Sequence, residues 1–173
     1  MNLKIKYFLI NNTLFNLLLL LLISRLFFFI IGLSPDLSHL PQMWQLLNPD
    51  LLYEDYFKSI LYLHSQPPIW NAIFGIFIKL FGTDYQILNN IMHLFNILCS
   101  ILITVYFFLI CKEFNFNRRV IYILFFIFVA FSPPLLMYEN FIHYTNLSVL
   151  LFTIISYNFI KFGETYNFAS EIK

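Results

Sequence analysis

SPDLSHLPQMWQLLNPDLLYEDYFKSILYLHSQPP, residues 34–68, is the one long polar break in a chain otherwise written in runs of Leu, Ile and Phe. It holds Asp36, His39, Asp50, Glu54, Asp55 and His64. Before it runs Leu14–Leu33, after it Pro68–Phe81, and then three more apolar stretches. A polar segment framed in this way reads as a loop at a membrane surface, with the apolar segments as helices in the bilayer. The fold class that follows is all-α, a single polytopic transmembrane bundle over residues 1–173.

Composition agrees with that assignment. Only 11% of residues are charged against 60% hydrophobic, whereas soluble proteins carry about a quarter charged. The net charge of +1 leaves no basic face to follow a phosphate backbone, so nucleic acid is excluded as a partner. Cys99 and Cys111 lie in one predicted helix, where twelve residues rise about 18 Å, too far for a disulfide. Lys4 and Lys6 before an apolar run imitate a signal peptide. That run is too long for such a leader and no small-residue cleavage site follows, so it reads as a retained span.

Four spans are expected, at about 13–33, 85–110, 120–137 and 141–162. Pro68–Phe81 is shorter, nearer the length of a re-entrant or interfacial helix. Excess Lys and Arg mark cytoplasmic loops. Lys4 and Lys6 place the amino terminus in the cytoplasm and loop 34–68 outside. Lys112, Arg118 and Arg119 fall back inside only if Pro68–Phe81 does not cross, and Lys161 then follows them. Lys79 speaks for a short crossing. The turn SPPLLMYENFIHYT, where Pro133 and Pro134 cannot donate helical hydrogen bonds, is then expected on the outer face with the acids. The composition does not distinguish a bacterial inner membrane from an endoplasmic reticulum membrane.

Inside the loop, NPDLLYEDYFKSILYLH reads as one amphipathic interfacial helix. Asn48 caps it, Pro49 suits its first position and Asp50 complements the dipole. Leu52, Tyr56 and Ile60 form its apolar stripe, and Glu54, Asp55, Lys58 and Ser59 face water.

Several residues are candidates for chemistry, each with an ordinary alternative. Asp36 follows the first span directly, as a general base or metal ligand would, or as a plain loop acid. Asp55 has the same two readings, and Glu54 and Lys58 have the spacing of a surface ion pair. His64, where the chain re-enters the membrane, suits a lipid phosphate or simply begins a helix. His39 has no partner motif. His93, inside a span, reads as a hydrogen bond to a neighbouring helix. Arg25 is a charge within the first span, which calls for a partner or a wet cavity: it reaches outward to phosphate, or pairs with Asp84 or Glu139. Glu139 and His143 have the spacing of one helix face. They make a poor metal site by themselves, and no zinc, nucleotide-loop or hydrolase-elbow motif is present.

The order of first span, acidic outer loop, LHSQPPIWNAIFGIFIKLFG and later SPPLLMYENFIHYT resembles the C-type membrane glycosyltransferases. It is most similar to the group of dolichyl-phosphate-mannose protein mannosyltransferases and lipid A aminoarabinose transferases. The resemblance covers about Leu26–Lys161 and implies the amino-terminal portion of such an enzyme. It implies transfer of a sugar from a polyprenyl-phosphate carrier to an acceptor hydroxyl. The first-loop acid would be Asp36 as general base, His64 would help to position the carrier phosphate or the loop, and Glu139 and His143 would line the same cavity, with Arg25 a substrate-binding candidate from its own position in the first span. Three departures stand out, of which the chief is length: relatives usually run to several hundred residues with many more spans, so a fragment, a truncated reading frame or a degenerate copy is expected. Relatives carry an acid pair after the first span, but Leu37 follows Asp36, which leaves Asp55 as a rival base. Ser65 and Gln66 separate His64 from the proline pair. No cofactor is named by the pattern, and a divalent cation is left open. The alternative reading is a non-catalytic membrane subunit that assembles with other chains.

Overall fold

The computed structural model describes the backbone of residues 3–35, 47–61, 68–141 and 143–171, with side chains from residue 12 to residue 163 within those ranges. Every regular element among them is helical. Three helices are long and apolar enough to cross a membrane: α1 (Leu3–Ile30), α5 (Tyr85–Glu113) and α8 (Thr145–Glu171). Between α1 and α5 lie α2 (Pro49–Glu54), α3 (Tyr56–Leu61) and α4 (Pro68–Phe81). A fourth candidate span is broken. In it α6 (Arg118–Phe125) passes into a π-helical turn, Phe126–Ala130, and is followed by α7 (Pro133–Asn140), bent by 43°.

Helix ends follow local chemistry. α1 stops at Ile30 because Gly32 takes φ +99°, and the Leu33 N–H then closes back on the Phe28 carbonyl at 2.9 Å, the usual glycine termination. Asp84 caps α5 by accepting from the N–H groups of Gln86 and Ile87 at 2.8 and 3.1 Å. The second predicted span thus extends from Tyr85 to Glu113. The last begins at Thr145 rather than Phe141, because Phe141 is extended (φ −119°, ψ 130°). The break expected beyond the third span falls inside it instead, since Pro133 starts a new helix before residue 137.

Cross-helix contacts order the bundle. Asn16 donates to the Tyr122 hydroxyl at 3.1 Å near one end, and Arg25 reaches Ala130 further along, so α1 and α6 run in the same direction. The Tyr106 and Tyr157 rings meet at 5.7 Å and Lys161 pairs with Glu113 at 2.7 Å, so α5 and α8 also run together. Asn89, near the start of α5, donates to the Pro35 carbonyl beyond the end of α1 at 3.3 Å. That contact makes α1 and α5 antiparallel. Leu17, Leu21, Ile103, Phe108 and Phe125 fill the core between them.

A second core of Leu52, Trp70, Phe74, Ile78, Leu88 and Met92 ties α2 and α4 to the first half of α5. At 14 residues α4 rises only about 21 Å. Trp70 and Phe77 both lie against the Phe95 ring, at 6.1 and 5.6 Å. Lys79 donates to the Tyr53 carbonyl and lies 5.3 Å from the Tyr53 ring centroid, which fastens the end of α4 to α2.

The single amphipathic helix expected after Asn48 is in fact two, broken at Asp55 (φ −137°, ψ 72°). The cap is as expected, with Asn48 Oδ1 accepting from the Asp50 N–H at 2.9 Å. Leu52 is buried and Tyr56 and Ile60 are half-buried against the second core, while Glu54, Asp55 and Lys58 are exposed. Beyond the break Tyr56 lies on α4, and its hydroxyl donates to the Ala72 carbonyl at 3.1 Å. Gly75 makes that approach possible: a Cβ there would sit 2.6 Å from the Tyr56 ring. Gly75→Val is therefore expected to lower stability in detergent by about 1–3 kcal/mol, the usual cost of overpacking. Tyr56→Ala in the same background should recover part of the loss, measured by thermal unfolding of the two variants.

Candidate functional site

Helical prolines leave carbonyls without donors, and in a membrane no water replaces them. Pro133 and Pro134 stand four residues after Val129 and Ala130, so neither can donate to those carbonyls. Arg25, from α1, does so instead. One terminal nitrogen donates to the Ala130 carbonyl at 2.6 Å and to Ser24 Oγ at 2.9 Å. The other donates to the Val129 carbonyl at 3.3 Å and to Glu139 Oε1. Nε donates to Glu139 Oε2 at 2.7 Å. A guanidinium has five N–H donors, and all five are engaged.

Glu139 sits on α7, 1% exposed. Its Oε1 also accepts from Ser100 Oγ, while its backbone carbonyl accepts from Asn96 Nδ2 at 3.3 Å and His93 Nδ1 at 3.2 Å. A carbonyl can only accept, so His93 Nδ1 is the donor in this bond. His93, Asn96 and Ser100 are spaced three and four apart, one face of α5. Ser100 is tied further along, since its carbonyl accepts from Thr104 Oγ1 at 2.9 Å. A buried polar patch thus joins α1, α5, the π-helical turn and α7 at one level of the bundle.

Two adjoining hollows open on this patch. A cleft of about 480 Å³ is walled by Phe28, Ile31 and Leu33 on one side and by Pro133, Leu136 and Met137 on the other. Beneath it a pocket of about 30 Å³, room for one water, is bounded by Arg25, His93, Glu139 and Asn140. Phe28, Leu33, Leu136 and Asn140 belong to both. Ser34, which precedes Pro35 and Asp36, lies at the rim of the cleft.

Of the residues singled out from sequence, Arg25 and Glu139 are brought together, and His93 bonds to a neighbouring helix as expected. Asp84 is no partner of Arg25 but the cap of α5. Glu139 and His143 do not share a helix, because α7 ends at Asn140. His143 lies in the turn before the Thr145–Gly163 span, stacked on Tyr144 at 4.2 Å and beside Tyr138 at 5.3 Å. Its Nδ1 accepts from the Thr145 N–H at 3.3 Å, and burial lowers its pKa. Both effects favour the neutral ring. Asp55 is exposed at the break between α2 and α3. Asp36, His39 and His64 lie outside the described residues. Asn96 and Ser100 were missed: their spacing from His93 was the available signal, a polar stripe on one face of an apolar span.

No family model, curated protein or solved structure matches the chain.

Removing one member of a buried ion pair leaves the other charge uncompensated, at about 3–5 kcal/mol. Arg25→Met is expected to destabilise the protein by that order in detergent unfolding. It also strips donors from Val129 and Ala130, so the Arg25→Met, Glu139→Leu double variant should recover only part of the loss. Arg25→Lys should fall well short of wild type, because an ammonium cannot reproduce the planar fork.

Proposed function

We propose that the chain is the membrane unit of a transferase moving a sugar from a polyprenyl-phosphate-linked donor to an acceptor hydroxyl at the non-cytoplasmic membrane face. The observation that carries this reading is the Asn89 to Pro35 contact, 3.3 Å long. It holds the backbone just ahead of Asp36 at the same bundle end as the α2–α4 layer, with Asp50, Glu54 and the exposed Asp55. Two candidate bases at one membrane edge are what such a reaction needs. The lipid phosphate leaves readily, so the protein has chiefly to orient the acceptor and remove its proton. In this reading Asp36, with Asp55 as rival, is the base and His64 meets the carrier phosphate. Arg25 and Glu139 act as positioning residues, because each is already engaged by the other. His143, held neutral, lines the outer turn without contributing charge.

The topology that goes with this reading has four crossings, counting α6 and α7 as one bent span, and α4 lying in the outer interface. Lys112, Arg118, Arg119 and Lys161 gather at the end opposite the α2–α4 layer, which supports a cytoplasmic assignment for that end. The fastening of Lys79 to Tyr53 supports keeping α4 with the outer loop. Cysteines introduced at Asp55 and Asn115 in a Cys99→Ala, Cys111→Ala background test this. An impermeant thiol reagent applied outside is expected to label position 55 and spare position 115. Labelling of 115 with sparing of 55 would invert the topology.

A second reading, a non-catalytic membrane subunit, is favoured by the mutual neutralisation of Arg25 and Glu139, which gives the interior a structural use for both charges. The two readings part on turnover. Membranes carrying the chain, a polyprenyl-phosphate-hexose and a hydroxyl acceptor are expected to form the glycosylated acceptor and release polyprenyl phosphate, and Asp36→Asn with Asp55→Asn should reduce release by roughly a hundredfold, the scale of lost general base catalysis. Undiminished release by the double variant would remove the acids from the mechanism, and no release by the wild type would favour the subunit.

A further inference from the structure

The two adjoining hollows beside Arg25 make an amphipathic site in which the Arg25–Glu139 ion pair is already satisfied. The 30 Å³ pocket is bounded by four polar or charged side chains and four apolar ones. Arg25 has no donor left, since its five N–H groups go to Glu139, Ser24, Val129 and Ala130. Each Glu139 carboxylate oxygen already accepts from Arg25, and Oε1 accepts from Ser100 as well. His93 uses Nδ1 on the Glu139 carbonyl, and its Nε2 has no partner among the described residues. Asn140 donates through Nδ2 to the Leu136 carbonyl at 2.9 Å, which directs its Oδ1 the other way, likewise without a partner among the described residues. What remains open around the pocket is therefore His93 Nε2 and both ends of the Asn140 amide, its Oδ1 and its second N–H.

A ligand tip that fits donates to the Asn140 amide oxygen and accepts from its N–H. A phosphate or carboxylate offers only acceptors when ionised, so it leaves the amide oxygen without a donor and meets no free cation. An ammonium would donate, but would lie beside the Arg25 guanidinium. A hydroxyl donates without charge, and a pocket the size of one water is the size of one hydroxyl. Above it, the cleft of about 480 Å³ lies within the roughly 300–1,000 Å³ typical of small-molecule sites, and its walls between Phe28 and Met137 are nearly all apolar. It opens between α1 and α7, beside the exposed apolar side chains of Ile31 and Met137, where a chain from the bilayer can enter.

We propose that this cleft and its floor form a binding site for a membrane lipid ending in a free hydroxyl, a long-chain alcohol in the simplest case, whose O–H donates to Asn140 Oδ1. The site goes beyond the transferase reading and does not depend on it, for it requires neither Asp36 nor a sugar donor. Its binding readout remains meaningful if the chain transfers nothing.

The test uses the full chain in lipid nanodiscs with three photoactivatable probes of equal chain length: an alkyl alcohol, the corresponding alkyl phosphate and the corresponding alkane. Crosslinks are mapped to Phe28, Leu136 and Met137. The alcohol is expected to label these positions about fivefold more than the alkane, the difference one hydrogen bond makes, and more than the phosphate. Asn140→Leu should reduce alcohol labelling to the alkane level while leaving alkane labelling intact. If that variant fails to fold, Asn140→Ala serves the same purpose, since it removes the same amide. Equal labelling by all three probes would mean ordinary contact with bilayer hydrocarbon and would overturn the proposal. Preferential labelling by the phosphate would also overturn it and restore an anion site.

Discussion

Two prolines in the broken span create the debt that Arg25 settles, and the upper half of the bundle is organised around that exchange. Without N–H groups at Pro133 and Pro134, the carbonyls of Val129 and Ala130 would face hydrocarbon unpaired, at a cost of several kcal/mol each. The π-helical turn over Phe126–Ala130 and the bend into α7 turn those carbonyls toward α1. A guanidinium suits the position because it can serve two carbonyls and a carboxylate at once from one plane. Glu139 cancels its charge, and α7 is thereby fixed to α1. The same residue then binds α7 to α5 through its backbone carbonyl and Ser100. One ion pair thus sets the relation of three helices.

An interior arranged in this way is closed to some chemistry. Both charges in the patch are compensated locally, so a free anion gains little by approaching it. That separates two regions that sequence reasoning had merged into one outer cavity. The patch frames the bundle, while Asp50, Glu54 and Asp55 of the α2–α3 region are exposed. The division has a physical basis: buried pairs hold geometry because breaking them is costly, whereas a base must be free to exchange its proton with a substrate.

Much of the fold was legible because membrane spans announce themselves by uninterrupted hydrophobicity. α1, α5 and α8 needed no other signal, and the caps at Asn48 and Asp84 lie where residue chemistry puts them. The helix break at Asp55 was not legible. Leu52, Tyr56 and Ile60 keep a helical period across it, and only the glycine on α4 reveals why Tyr56 departs from the line. The split within residues 120–137 was half legible. The prolines marked it, but Pro at the start of a helix is as favourable as Pro inside one is not, so the sequence could not say that a new helix would begin there.

The site was legible in its charges and not in its neutral members. Arg25 had to find a partner, and a carboxylate within reach was the natural expectation, but Asp84 and Glu139 were equal candidates until Asp84 proved to be a cap. Asn96 and Ser100 carry no charge, and single polar residues are unremarkable in a span. What gives them meaning is the bare Glu139 carbonyl near the end of α7, a feature of backbone geometry that no residue pattern encodes. The same holds for His93 Nε2 and the open positions of the Asn140 amide, which are what each side chain leaves over once its other bond is made. Hydrogen-bond capacity left over after folding is a property of the assembled helices rather than of any one residue type.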